Sequence, residues 1–338
     1  MRRTVKWLAA LAAILVVAFL LLRTPDTDPA AMRAKYGGPP SQFVALGNGL
    51  TVHVRDEGPR NAPAIVLLHG SNADLHTWEP WAKDLSRDYR VVRFDQIGHG
   101  LTGANPSGDY SPAAYVDGVR RVADRLGLER FVLAGNSMGG AIAVRFALNH
   151  PERLDGLVLI DAGGAPRSGK ARGNTGFNLA ATPGVSWLLR RITPRSLVER
   201  SLRQSVSNQA IVTDAAVDRY WELLRYPGNR DATVTRFSSP RTTFDPAILG
   251  RIRIPTLILW GERDALISVD GANWFARAIP GSQLITYPGI GHLPMEEAPA
   301  KSVADLREWL VARCAMGGCG APAPPGPTQQ VDAPPSLP

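Results

Sequence analysis

Cysteine is nearly absent: the 338-residue chain holds two, Cys314 and Cys319. That scarcity excludes a disulfide-framed mini-fold, and with no second Cys or His pair nearby it gives no support to a zinc site. In an oxidising compartment the two thiols could close a small loop through Gly317 and Gly318; two free thiols fit the sequence equally well. Charge is modest at 20% Asp, Glu, Lys and Arg, and the formal +8 is spread over single and paired Lys and Arg with no basic run interleaved with aromatics. Nothing there reads as a nucleic-acid surface. Internal repeats are missing, which excludes a solenoid. What is present is ordinary globular composition, 44% hydrophobic, enough to bury a sizeable core and to exclude global disorder. The length fits one core carrying an insertion.

Long apolar runs are also scarce, with one exception. Trp7 to Leu22 is continuously apolar, preceded by Arg2, Arg3 and Lys6 and followed by Arg23. The run is shorter than the ~20 residues of a comfortable span, a gap that snorkelling of Lys6 and Arg23 closes. No A-x-A-like cleavage site follows Leu22, so we read residues 1–23 as an uncleaved anchor rather than a removed leader. The positive-inside rule keeps residues 1–6 in the cytoplasm and sends the rest to the periplasmic or extracellular side. Residues 24–40, rich in Pro, Asp and Gly, read as a linker, and residues 320–338, largely Pro and Ala, as a disordered tail beyond the cysteines.

Between these ends short apolar runs alternate with helical patterns, the signature of a mostly parallel sheet flanked by helices. Phe43 to Leu46 and Leu50 to Val54, separated by Gly47-Asn48-Gly49, predict an opening hairpin. Buried-type strands follow at Ala64–Leu68, Tyr89–Phe94, Phe131–Ala134 and Leu157–Ile160. From about residue 165 to 250 the strand rhythm stops, and Trp187, Leu188, Leu189, Tyr220, Trp221, Leu223 and Leu224 cluster at helix-like spacing, which predicts a helical cap. The rhythm resumes with Pro255–Trp260 and Gln283–Tyr287, and a last helix presents Val303, Leu306 and Leu310 on one face. The catalytic domain on this reading spans residues 41–313.

Acyl transfer by serine needs an exposed hydroxyl, a base, a carboxylate to orient the base, and donors for the oxyanion. Gly135-Asn136-Ser137-Met138-Gly139 is a G-x-S-x-G pattern between a strand and a helix, where a sharp turn presents Ser137 and leaves no room for side chains two residues either side. Downstream, the strand ending at Trp260 runs into Gly261-Glu262-Arg263-Asp264, and after the next strand comes Gly289-Ile290-Gly291-His292. His292 is the candidate base and Asp264 the candidate orienting acid; Asp161, which also ends a strand, is the alternative acid. The backbone N–H of Met138 is one oxyanion donor, and the N–H of Ser71 the other, with the Asn72 side chain as a fallback. His69 and His99 read as loop-bracing residues, and His53, His76 and His150 receive no role. Phe177, Trp187 and Trp221 fit either an apolar acyl or aryl pocket in the cap or simple packing among its helices, the commoner use of such clusters.

With those residues in view, residues 41–312 resemble the α/β-hydrolase fold family. The resemblance is carried by His69-Gly70-Ser71, Asp95-Gln96-Ile97-Gly98-His99-Gly100, Gly135-Asn136-Ser137-Met138-Gly139-Gly140, Trp260-Gly261-Glu262-Arg263-Asp264 and Gly289-Ile290-Gly291-His292. It implies an eight-stranded sheet, a cap after the sixth strand, a small-molecule substrate, and no metal or organic cofactor. Ser at 137 argues against the dehalogenase and epoxide hydrolase branches, whose elbows carry Asp. The Asn136–Gly140 stretch looks like esterases and equally like carbon–carbon bond hydrolases of aromatic ring-cleavage pathways, although Ser71-Asn72-Ala73-Asp74 lacks the Gly-Pro-Gly common in the latter. A perhydrolase or acyltransferase would use the same residues, and a binding protein on this fold would be expected to have lost one of them.

Overall fold

The computed structural model describes residues 2–167, 169, 175–182, 184–239 and 243–315. Its frame is an eight-stranded sheet built from β1 (Ser41–Gly47), β2 (Leu50–Glu57), β3 (Ala64–Leu68), β4 (Arg90–Phe94), β5 (Phe131–Asn136), β6 (Leu154–Ile160), β7 (Thr256–Gly261) and β8 (Gln283–Tyr287), in the order β1-β2-β4-β3-β5-β6-β7-β8. The first hairpin is antiparallel, as is the pairing of β2 with β4; every later pairing is parallel. The central strands are buried on both faces, which is why they read as unbroken apolar runs rather than alternating ones.

The remaining elements are the helices α1 (Arg2–Leu22), α2 (Pro29–Tyr36), α3 (Glu79–Leu85), α4 (Pro112–Arg125), α5 (Met138–Asn149), α6 (Thr175–Ala181), α7 (Ser186–Leu189), α8 (Arg195–Ser205), α9 (Asp214–Leu224), α10 (Asn229–Ser238), α11 (Pro246–Leu249), α12 (Asp270–Ala278), α13 (Pro294–Glu297) and α14 (Pro299–Ala315). On one face of the sheet Val119 of α4, Ile142 and Phe146 of α5 and Phe275 of α12 pack on Val66, Leu133 and Leu159. On the other, Trp81 and Leu85 of α3 and Leu306 and Leu310 of α14 pack on Ile65, Val132 and Val158. Trp81 donates its indole N–H to Ser302 Oγ at 2.9 Å, so the second layer is also tied by a satisfied polar contact. Helices α6 to α10 lie between β6 and β7 in the chain and make the cap over the carboxyl ends of the strands.

One segment differs from the sequence reading. Residues 24–40 are an ordered strap as well as a connection. Asp28 caps α2, Met32 is buried against Leu101, Leu223 and Tyr226, and Glu222 of the cap accepts from Lys35 and Tyr36. Thr27 N–H donates to Arg225 O at 3.0 Å, and Arg230 pairs with Asp26. A short polar segment can be ordered this way because its partners lie some two hundred residues further on, where no local pattern reveals them. At the N-terminus, as the sequence reading expects of an apolar segment, Val5–Leu22 is a helix long and apolar enough to cross a membrane, none of it buried in the fold. Cys319 and the tail lie outside the described residues, as do the side chains of Cys314, Phe177 and Trp187.

Candidate functional site

Ser137 sits between β5 and α5 with φ 54° and ψ −115°, a backbone conformation that a side-chain-bearing residue adopts only under constraint. The constraint is backbone against backbone. A Cβ on Gly135 would lie 2.3 Å from the Gly139 carbonyl carbon, and one on Gly139 would lie 2.3 Å from Leu68 O. Hydrogen bonds hold the turn on both sides, from Ser137 N–H to Ile160 O at 3.0 Å and from Gly163 N–H to Ser137 O at 2.8 Å. Met138 opens α5, where the backbone amides of the first turn have no intrahelical acceptor.

His292 follows β8, and its backbone is gripped from two directions: its N–H donates to Ser205 O of α8 at 2.9 Å, and its carbonyl accepts from Asn136 Nδ2 at 3.1 Å. The ring Nδ1 lies 2.6 Å from Asp264 Oδ2. Asp264 in turn accepts the N–H groups of Leu266 and Ile267 at 2.7 and 3.0 Å on its other oxygen, so the carboxylate is oriented by its own loop. Ser137 and His292 line one cavity, and the serine hydroxyl makes no hydrogen bond to the imidazole, a contact that in many hydrolases tightens only on the way to the transition state. Asp161 is also here. Its ligand atom, that of Asp264 and that of His292 lie within 4.8 Å of one another, and burial followed by the neighbouring Asp264 pushes its carboxyl well above the usual range. The trio could surround a cation, yet two ligands on one ion would stand about 3 Å or more apart, further than the 2.6 Å between His292 and Asp264.

The loop after β3 closes the site. Gly70 is packed so tightly that a Cβ there would meet Ser137 Cβ at 3.1 Å, which sets Ser71 beside the serine. His69 explains the loop's shape. Its Nε2 accepts from Gln96 N–H at 3.0 Å, so Nδ1 carries the proton and donates to Gly70 O at 2.8 Å; burial holds the ring below the usual histidine range. The cap braces the same loop, with Arg236 donating to Ser71 Oγ at 2.8 Å and Thr233 Oγ1 to Asn72 Oδ1 at 2.7 Å. Neither Arg236 nor Thr233 carries a sequence signal for this role. Asn72 thus has its side-chain oxygen engaged by the cap.

The cavity, about 940 Å³ including its mouth, is walled by cap side chains such as Leu189, Leu197, Val198, Leu202, Leu224 and Val234. Its lining reaches Thr193 and Arg230, which bond to Thr24 at 2.8 and 2.7 Å, two residues beyond α1. Trp221 does not line it; the indole N–H donates to Thr193 O at 2.7 Å and the ring carries the Arg225 guanidinium at 3.7 Å.

A second hydroxyl–imidazole–carboxyl chain exists at the sheet edge, where His53 lies 2.8 Å from Ser41 Oγ and 2.7 Å from Asp95. Asp95 is spent on the amides of Leu75 and Leu101, and neither Ser41 nor His53 lines the cavity. That chain braces loops, which the sequence, assigning His53 nothing, did not show.

The family described as alpha/beta hydrolase fold matches residues 63–299. An uncharacterised protein of Mycobacterium tuberculosis is 32% identical over 270 residues, 74% of this chain and 76% of its own length. The 2-hydroxy-6-oxononadienedioate/2-hydroxy-6-oxononatrienedioate hydrolase of Comamonas testosteroni is 27% identical over 265 residues, 75% of this chain and 90% of that one. Among solved structures, a bacterial membrane phospholipase A superposes with a TM-score of 0.70 at 24% identity, covering 93% of this chain and 99% of that one.

Proposed function

Since the chain belongs to the α/β-hydrolase fold family and the Comamonas relative is a hydrolase, we propose that it is a serine hydrolase that cleaves a carboxylic ester through an acyl-enzyme on Ser137. The observation that carries the reading is the 2.6 Å contact between His292 and Asp264 in a cavity shared with a serine on a strained elbow. His292 Nε2 takes the Ser137 proton as Oγ attacks the ester carbonyl; Asp264 holds Nδ1 protonated and stabilises the imidazolium. The oxyanion is met by the amides of Met138 and Ser71. The alkoxide leaves with the proton from His292, and a water molecule repeats the sequence to free the acid.

The substrate on this reading carries an apolar acyl or aryl group, because aliphatic side chains dominate the cavity wall. Carbon–carbon bond hydrolysis is the second reading, favoured by the Comamonas relative. A dicarboxylate such as that relative's name implies would need a cation, and the one Arg or Lys among the described lining residues, Arg230, is already paired with Asp26. That favours a neutral ester. We read α1 as an anchor that leaves the catalytic domain on the periplasmic or extracellular side, and the cavity lining beside Thr24 suits esters of membrane amphiphiles, the class suggested by the phospholipase neighbour.

The test compares wild type with Ser137→Ala on a p-nitrophenyl ester series and a vinylogous diketone. We expect ester turnover to fall at least about 10³-fold, and fluorophosphonate labelling to vanish. Retained turnover sinks the assignment, and preference for the diketone selects the second reading.

A further inference from the structure

Resting on the same reading of the site, we infer that Asp161 is a second acid of this centre: a neutral carboxyl that donates to Asp264 and can take over from it. Asp161 closes β6 with φ 45° and is fully buried. One of its oxygens, Oδ1, accepts the N–H of Gly261 at 3.0 Å. The other, Oδ2, is buried and meets no N–H or O–H donor, and a carboxylate oxygen of Asp264 lies within 4.8 Å of one of Asp161. Two buried carboxyls this close repel each other when both are ionised, which favours a proton on one of them. Which one keeps the charge follows from the donors around each. Asp264 is met by Leu266, Ile267 and the His292 ring, Asp161 by a single amide. The proton therefore resides on Asp161 Oδ2, and the oxygen without a donor becomes a donor itself, directed at Asp264.

This makes Asp161 a positioning residue, acting on His292 through Asp264. One of its oxygens also lies within 4.8 Å of a ring nitrogen of His292, so with the Asp264 side chain removed one of the two causes that keep Asp161 neutral disappears, and the carboxyl is left near an imidazole whose positive charge favours its ionised form. Other charged or titratable groups acting on Asp161 are Glu297 and Tyr287.

The experiment is a double-mutant cycle on full-length protein, with p-nitrophenyl butyrate as the probe. Asp161→Asn keeps a donor toward Asp264 and should lower kcat about two- to fivefold; Asp161→Ala loses it and should cost about 10- to 100-fold. Placed in an Asp264→Ala background, Asp161→Asn should cost about 30-fold more than it does alone, because the remaining acid is then removed. Equal costs in the two backgrounds would overturn the takeover. The protonated state is read separately, from the infrared difference between wild type and Asp161→Asn at pH 7, which needs no variant at 264. A protonated carboxyl band is expected, and its absence overturns the inference even if Asp264→Ala fails to fold. Turnover surviving in Ser137→Ala would instead remove the nucleophile assignment and leave the infrared result standing.

Discussion

Asn136 donates its side-chain amide to the backbone carbonyl of His292 across 3.1 Å of space and 156 positions of sequence. The residue before the proposed nucleophile therefore holds the loop of the proposed base. Its amide also donates to Ile160 O at 3.2 Å. Asn136→Ala leaves both carbonyls without this donor and loosens the hold on the His292 loop. We expect kcat to drop about 100-fold on a short ester, with KM nearly unchanged. A fall in KM alone, with kcat intact, would remove the positioning role.

Gly135→Ala tests the elbow from a different side. The added methyl would collide with backbone atoms at 2.3 Å, and no side chain is there to move aside. The variant should be destabilised by more than about 3 kcal/mol and be poorly soluble. A thermal melt matching wild type would mean that the turn can relax and that its geometry is not enforced by packing.

Acid sensitivity follows from the buried histidines. Burial, reinforced by His69 and the Arg236 guanidinium, holds His99 well below the ordinary histidine range. The unfolded chain takes up a proton near pH 6.5 and the folded chain does not, so stability falls as pH drops below that value, by about 1.4 kcal/mol per unit for each such residue. His69 and His76 are lowered by burial in the same direction. The melting temperature should fall between pH 7 and pH 5, and His99→Gln should make the slope shallower. An unchanged slope counts against the neutral, buried state.

Met32 is the apolar pin of the strap, 8% exposed against Leu101, Leu223 and Tyr226. Met32→Ala should cost about 2 to 3 kcal/mol of local stability. Hydrogen exchange is the measurement: α2 should lose protection while β5 and β6 keep theirs. Protection that is unaltered in α2 would show that the ion pairs of Asp26 and Glu222 suffice to hold the strap.

Much of the sheet was legible because its signals are local. Ala64–Leu68 is an uninterrupted apolar run since both faces of β3 are covered, and Gly47-Asn48-Gly49 marks a hairpin because Gly47, Asn48 and Gly49 all need positive φ. Ser137 could be singled out for the same reason: its glycines answer a steric demand within five residues. The order of the strap is invisible in its own residues because it depends on Glu222, Arg225 and Arg230, which no window of neighbouring residues contains. The bracing of Ser71 by Arg236 and the contact of Asp161 with Asp264 were hidden for the same reason. The role of His53 was hidden as well, since its partners Ser41 and Asp95 stand 12 and 42 residues away in the chain.

Behind Ser137, on the side away from the cavity, the elbow leaves no spare volume, because Gly135, Gly139 and Gly140 each abut a neighbour that a methyl group would strike. Changes in what the protein accepts must therefore come from the insertion between β6 and β7, whose helices supply most of the aliphatic wall. The reactive half behaves as a fixed tool head and the cap as an interchangeable jaw, so grafting the cap of another member is the direct route to a new preference.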